Sequence, residues 1–286
     1  MPVCLENVSY SYKAYEGGDI PALRDVSVNI EDGEFIGLMG HTGCGKTTLI
    51  QLMAGLLIPE SGKLLLNGED INGKGYDRAA LRRDLSLVFQ FPEYQLFEST
   101  VEKDLAFGLK HSGLPRDEVK ARTKWALETM GFSFEKTRSL PPLSLSGGEK
   151  RRLAIAGALV TKPRFLIFDE PIAGLDQMSS QSFMETVSRL NSEGTTIIMV
   201  SHNADALGEY AKRLLVFDCG ALVMDGTVAD VFSNIEKLES LHLKAGTPRI
   251  IADILSRRGI PVPETVTSYS GLLGALKSQL KGAQTP

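Results

Sequence analysis

The stretch from Gly40 to Thr48 reads GHTGCGKTT, a spacing that can hold a polyphosphate. In G-x-x-x-x-G-K-T, Gly40, Gly43 and Gly45 let the backbone curl so that successive N–H groups face inward as a concave anion site. A helix starting near Lys46 adds the positive end of its dipole. Lys46 then reaches the β- and γ-phosphates, and the Thr47 hydroxyl can ligate Mg2+. His41, Thr42, Cys44 and Thr48 complete the cradle. Stripped of its flanks, the stretch is only a glycine-rich turn. Between an apolar strand and a helix, it reads as a nucleoside triphosphate site. Cys44, near the helix N-terminus, is expected to be a reactive thiol that bound nucleotide shields.

Two further places carry chemistry. Phe165-Leu166-Ile167-Phe168-Asp169-Glu170 runs four apolar residues into two acids. That is the pattern of a buried parallel strand delivering carboxylates at its C-terminal end, where open α/β sheets bind ligands. Asp169 is expected in the Mg2+ shell and Glu170 beside an attacking water; solvated strand-end acids are the alternative. Thr195 to Val200 is a second such strand and delivers Ser201 and His202. A right-handed crossover through a helix near Phe183 to Leu190 sets it beside the first. His202 is then within reach of a γ-phosphate, although a lone strand-end histidine is commonly a surface group. Gln90, leaving the apolar run from Leu85, is either a cap or a reach toward Mg2+ or water. Tyr12 either stacks on a purine or is a half-buried strand tyrosine beside Tyr10.

The elements that must position these groups follow from hydrophobic spacing. Phe35 to Met39 is a buried strand, and Leu49, Ile50, Leu52 and Met53 recur at helical spacing. Residues 1–34 alternate as antiparallel strands around a loop at Glu16 to Asp19, and Lys63 to Asn67 is another strand after the turn Pro59 to Gly62. From Phe91 to about Val160 the pattern is helical. Ser99 to Glu102 resembles a capping box opening a helix through Leu109. Pro115 and Gly131 bracket a second helix, and RRLAIAGALV is a third. A hairpin over Leu214 to Met224 is followed by a turn at Asp225-Gly226. Helical patterns at Val231 to Leu243 and Leu272 to Leu280 flank the segment Gly259 to Pro263.

At 286 residues and 43% apolar composition the chain can bury a large core. A net charge of −4 argues against a nucleic-acid partner. The three cysteines, Cys4, Cys44 and Cys219, show no CxxC spacing, so a disulfide framework is not expected and a reducing cytosol fits. Neither a signal peptide nor a membrane-length apolar run is evident, so at a membrane another chain does the spanning.

Leu145-Ser146-Gly147-Gly148-Glu149 places a second anion-binding N-terminus in a chain that needs one per nucleotide. LSGGE resembles the signature of ATP-binding cassette (ABC) ATPases, and the chain from Leu5 to about Phe232 fits that family. The resemblance implies an α/β P-loop cassette: a RecA-like core, an antiparallel β subdomain and an inserted helical subdomain at about 91–160. Residues 233–286 are then a small helical appendage, a subunit-contact element, after an ATPase domain at 1–232. By the same resemblance Tyr12 is the adenine-stacking aromatic, Gly40 to Thr47 Walker A, and Gln90 the Q-loop glutamine. Ser146, Gly147, Gly148 and Glu149 are the signature, Asp169 and Glu170 Walker B and the catalytic acid, Asp176 the end of the D-loop, and His202 the switch histidine. Ile172 stands where threonine is usual, which touches D-loop positioning. The family implies a head-to-tail pair of cassettes, itself or a sister, holding ATP and Mg2+ between them.

FQFPEYQLF, Phe89 to Phe97, together with LSGGEKRRLAIAGAL, looks like the second ATPase type of energy-coupling factor transporters. This implies a transmembrane coupling subunit, an exchangeable substrate-binding membrane subunit, uptake of vitamins or of cobalt or nickel ions, and a place on the cytoplasmic face of the membrane. Phe91, Tyr94, Leu96 and Phe97 are then expected to form a groove for a coupling helix. Another ABC importer class is the rival; a DNA-repair cassette should carry an inserted coiled coil, and none is seen.

Overall fold

The computed structural model describes residues 3–13 and 18–282. Strands β1 (Val3–Tyr12) and β2 (Ile20–Ile30) pair antiparallel, burying Val3, Leu5, Val8, Leu23, Val26 and Ile30. Glu16 and Gly17 of the expected loop lie outside the described residues. Strand β3 (Phe35–Met39) is buried at every position, and α1 (Lys46–Met53) follows the glycine loop. Next come β4 (Ser61–Leu66), the two-residue β5 (Glu69–Asp70), α2 (Arg78–Asp84) and β6 (Leu85–Val88). The helical stretch contains α3 (Val101–Phe107), α4 (Arg116–Thr129), α5 (Phe134–Thr137) and α6 (Gly147–Leu159). The core resumes with β7 (Phe165–Asp169), α7 (Gln177–Ser192), β8 (Thr196–Val200), α8 (Ala204–Tyr210), β9 (Arg213–Asp218) and β10 (Ala221–Thr227). Helices α9 (Val228–Ser233), α10 (Ile235–Ser240), α11 (Thr247–Arg257) and α12 (Tyr269–Gly282) end the described chain.

The strands form two sheets, ordered β2-β1-β4-β5 and β10-β9-β3-β8-β7-β6. In the second, β9, β3, β8, β7 and β6 run parallel and β10 is an antiparallel edge. Its strands alternate between two cores, as a period of two requires. Phe168, Met199 and Phe35 face the helices α3 to α7, while Ile167, Ile198 and Leu38 face α1 and the antiparallel sheet. Because β3, β8 and β7 are neighbours in register, Gly40, Ser201 and Glu170 emerge along one sheet edge. That edge is where a parallel sheet offers its binding crevice.

Three local expectations are corrected. The cap of α3 is Thr100, which accepts from the Lys103 N–H, and Ser99 is not part of it; with lysine at the third helical position no reciprocal bond forms. Asp225-Gly226 is strand, not turn: the Asp225 carboxylate takes a two-bond fork from Arg213, at 2.6 and 2.7 Å, and Gly226 pairs with Leu214. The pattern from Val231 breaks at Asn234 into α9 and α10, and α11 lies in a stretch where no helix was expected.

Leu238, Leu241 and Ala245 join the main core, whereas Ala252, Val262, Val266 and Leu272 make a small cluster of their own. Buried Arg249 donates to the carbonyls of Pro263 and Glu264 at 3.2 and 2.9 Å, pinning the proline-rich segment. The C-terminal segment grips α8. The Thr267 hydroxyl donates to the Gly208 carbonyl at 3.0 Å, the Tyr269 hydroxyl to Asp205 at 2.9 Å, and Ser270 to Glu209 at 2.9 Å.

Candidate active site

The loop between β3 and α1 needs its glycines. Gly40 has φ +150°, and a Cβ there would stand 2.4 Å from the Phe217 carbonyl oxygen and 2.5 Å from Cys44 Sγ. Lys46 is buried beneath the loop and its Nζ donates to the carbonyls of Gly40 and His41 at 2.7 and 2.9 Å. A cavity of about 870 Å3 opens over it. Tyr12, Thr42, Gly43, Gly45, Thr47 and Thr48 line one side, and Gln90, Asp169, Glu170, Ile172 and His202 line the other. Residues predicted from places as far apart in sequence as Tyr12 and His202 thus meet in one cavity.

Thr47 Oγ1 donates to Asp169 Oδ2 at 3.3 Å. Glu170 begins the turn after β7 with φ +49°, a conformation that costs a non-glycine residue of order 1–3 kcal/mol. Its N–H donates to the Val200 carbonyl at 3.0 Å. Its side-chain Oε1 is buried and without a hydrogen bond, with His202 Nε2 at 3.5 Å, too long to satisfy it. Burial pushes the Asp169 carboxyl up despite the Thr47 hydrogen bond and the Lys46 charge. Burial also raises Glu170 despite a hydrogen bond from the His202 N–H, with the Asp169 charge adding to it. Burial, then the Lys46 ammonium, lowers His202, which favours the neutral imidazole. In the nucleotide-free chain, 13C-carboxyl titration is therefore expected to show a glutamate midpoint above the ordinary range that is missing from Glu170→Gln. A Glu170 signal at the ordinary value would refute the buried-carboxylate description.

A hard cation fits here on chemical grounds. The Asp169 carboxylate and Thr47 hydroxyl are adjacent oxygen donors, which suits Mg2+. The unsatisfied Glu170 oxygen awaits a hydrogen-bond donor such as water.

Not every predicted residue faces the cavity. The His41 ring turns away, with Nε2 2.9 Å from Asp218 Oδ1, so only its backbone belongs to the loop. Cys44 is fully buried in the core, its Sγ accepting from Lys46 Nζ at 3.6 Å; the expectation of a reactive thiol is overturned by packing. Tyr12 sits at the rim, its hydroxyl 3.1 Å from Thr48 Oγ1 and its ring edge-on to Tyr10. Asp176 caps α7, accepting from the Ser179 N–H at 2.9 Å.

Ser146 to Glu149 lie off this cavity. Ser146 and Glu149 form a capping box, with the Glu149 carboxylate accepting from the Ser146 N–H and hydroxyl at 2.9 and 2.6 Å. Those bonds hold the Glu149 carboxyl below its usual range. Gly147 and Gly148 have open space where a Cβ would stand. Sequence reading missed Arg151. It is 5% exposed, and its Nη1 and Nη2 donate to the carbonyls of Ala173 and Glu170 at 2.8 and 3.1 Å. Its signal was spacing: it stands one helical turn before buried Ile155 and two before Leu159.

The sequence model of the ABC transporter family matches residues 23–173. The energy-coupling factor transporter ATP-binding protein EcfA2 of Caldanaerobacter subterraneus subsp. tengcongensis is 41% identical over 285 residues, 99% of each chain. EcfA2 of Clostridium perfringens is 39% identical over 277 residues, 96% of this chain and 97% of the relative. Among solved structures, cbiO1 from Clostridium perfringens, described as part of the ABC transporter complex cbiONQ, matches with TM-score 0.72 and 35% identity over 87% of this chain and 96% of that one. The cassette MJ0796, a dimer in a post-hydrolysis state with ADP and Pi, matches with TM-score 0.68 and 28% identity over 79% and 98%. With the site geometry, these matches show that the chain belongs to the ABC transporter family, as an ATP-binding ATPase of the energy-coupling factor branch.

Proposed function

We propose that this chain hydrolyses ATP to drive an energy-coupling factor importer from the cytoplasmic face of a membrane. The observation that carries the chemistry is the buried, unsatisfied Glu170 oxygen beside His202, in the same cavity as Lys46, Thr47 and Asp169. Lys46 exchanges the loop carbonyls for phosphate oxygens. Thr47, Asp169 and Gln90 hold Mg2+, which neutralises phosphate charge when bound. Glu170 orients the attacking water or takes its proton, His202 steadies the γ-phosphate, and Tyr12 receives the adenine. Phosphoryl transfer asks for positioning and electrostatic stabilisation, which this set supplies.

Ser146 to Glu149 sit off the chain's own cavity with open glycines, which supports their serving the nucleotide of a second cassette in a head-to-tail pair. The dimeric MJ0796 structure supports the same reading. No helix among the described residues is long and apolar enough to cross a membrane. The spanning partners are a coupling subunit and an exchangeable substrate-binding subunit, and the cargo is a vitamin or a cobalt or nickel ion. Residues 233–286 serve as a subunit contact. Purification of the tagged chain from native membranes tests the whole. Recovery with a second cassette and these membrane subunits is expected; an ATPase recovered alone would overturn it.

The docking face needs one revision. Leu96 is buried in the core, so it cannot line a groove, while Tyr94 is 85% exposed and Phe97 packs edge-on against exposed Phe107. Phe97→Asp is expected to cut copurification with the coupling subunit at least about tenfold, since a lost aromatic anchor is worth about 2 kcal/mol or more. Leu96→Ala should instead lower the stability of the isolated chain by about 2–5 kcal/mol. Full assembly of the Phe97 variant would rule this face out.

A further inference from the structure

On the outer side of the phosphate loop, away from the nucleotide cavity, His41 meets the turn between β9 and β10. His41 Nε2 is 2.9 Å from Asp218 Oδ1, and Cys219 Sγ is 3.7 Å from the same oxygen. One donor atom from each of the three lies within 4.8 Å of the other two. The second ring nitrogen, Nδ1, is 2.8 Å from the Thr42 carbonyl oxygen. Both ring nitrogens therefore face acceptors, and a neutral imidazole has only one N–H to give. At 2.9 Å from a carboxylate, Nε2 carries a proton in the metal-free chain. A cation that displaces it would leave the Nδ1 proton on the carbonyl and turn the Nε2 lone pair into a ligand beside Asp218 and Cys219. A backbone carbonyl behind the ring of a ligating histidine is the usual way its tautomer and orientation are set.

We propose that His41, Asp218 and Cys219 form a Zn2+ site, with three protein ligands and water in the fourth position. Nitrogen, oxygen and sulfur donors suit zinc, while Mg2+ and Ca2+ take oxygen ligands. Tetrahedral bonds to such donors set neighbouring ligand atoms about 3.3–3.8 Å apart. The Nε2–Oδ1 and Sγ–Oδ1 separations here are 2.9 and 3.7 Å. Cys219 has φ +46° and is exposed, so the site is open to solvent. On binding, the thiol releases its proton to solvent and the sulfur becomes a thiolate ligand.

The site bears on the phosphate loop through the backbone. The Gly220 N–H donates to the Cys44 carbonyl at 3.1 Å, and the Phe217 carbonyl fills the space where a Gly40 Cβ would stand. Zinc would fasten His41, whose carbonyl accepts from Lys46, to that turn.

The test uses the full chain, stripped with chelator and titrated with Zn2+ in millimolar Mg2+ against a chromophoric competitor. Expected are one zinc per chain and a loss of at least about tenfold in affinity for both Cys219→Ser and Asp218→Asn. Co2+ in place of zinc should give a thiolate-to-metal absorption band that Cys219→Ser lacks. Metal-free Cys219→Ser is expected to hydrolyse ATP like the native chain, which shows that it is folded. A loss smaller than tenfold in either variant, or Co2+ bound without that band, overturns the site.

Discussion

Replacing Glu170 with glutamine is expected to lower turnover by about 10²–10⁴ while ATP binds at least as tightly as to the native chain. The substitution keeps shape and removes only charge and basicity. The native carboxylate is buried beside Asp169, so its charge is opposed by burial and by its neighbour. A neutral amide removes that opposition and the repulsion toward a γ-phosphate. Folded stability near neutral pH should therefore hold or rise, and a lost rate cannot be ascribed to unfolding. Rapid-quench single-turnover hydrolysis, paired with equilibrium nucleotide binding, reads the two effects separately. Near-native hydrolysis would remove Glu170 from the chemistry.

Arg151→Met is expected to reduce kcat about 10- to 100-fold with KM changed less than about threefold. Small displacements of a catalytic group carry penalties of that size. Arg151 reaches from the first turns of α6 to the carbonyls of Glu170 and Ala173. Those bonds help hold a residue whose backbone is left-handed, φ +49°. Methionine fills similar volume but leaves the Ala173 carbonyl without its donor, at about 1–3 kcal/mol, and the Glu170 carbonyl with only the Ala173 N–H at 3.3 Å. Lysine restores the charge without the planar fork and should recover only part of the rate. A purely structural role would lower the unfolding midpoint and leave kcat intact. That pattern would dismiss Arg151 as a positioning residue for Glu170.

What could be read from the chain alone was what local pattern determines. The loop from Gly40 to Thr48 and the strands ending at Asp169 and Val200 declare themselves within a few residues, because their turn chemistry and apolar runs are contiguous. Their convergence followed from parallel register and crossover rules. The misses came from contacts distant in sequence. Asp-Gly is a turn signal until Arg213, twelve residues earlier, claims the aspartate and keeps the strand straight. Cys44 and Leu96 have the same local surroundings whether they face solvent or core, and only packing decides. In α11 the buried face holds a cation, Arg249, beside Ala252, while Ile251 and Ile254 of its apolar stripe stay exposed, so its periodicity pointed away from its packing. Arg151 was concealed for a similar reason, as a cation in a row of apolar positions.

The clasp that Thr267, Tyr269 and Ser270 place on α8 also fixes the helix that follows the switch histidine. Helix α8 starts two residues after His202, and the tail holds it at both ends, Tyr269 at Asp205 in its first turn and Thr267 and Ser270 at Gly208 and Glu209. The packing of the tail and the placement of His202 are thus joined through one seven-residue helix.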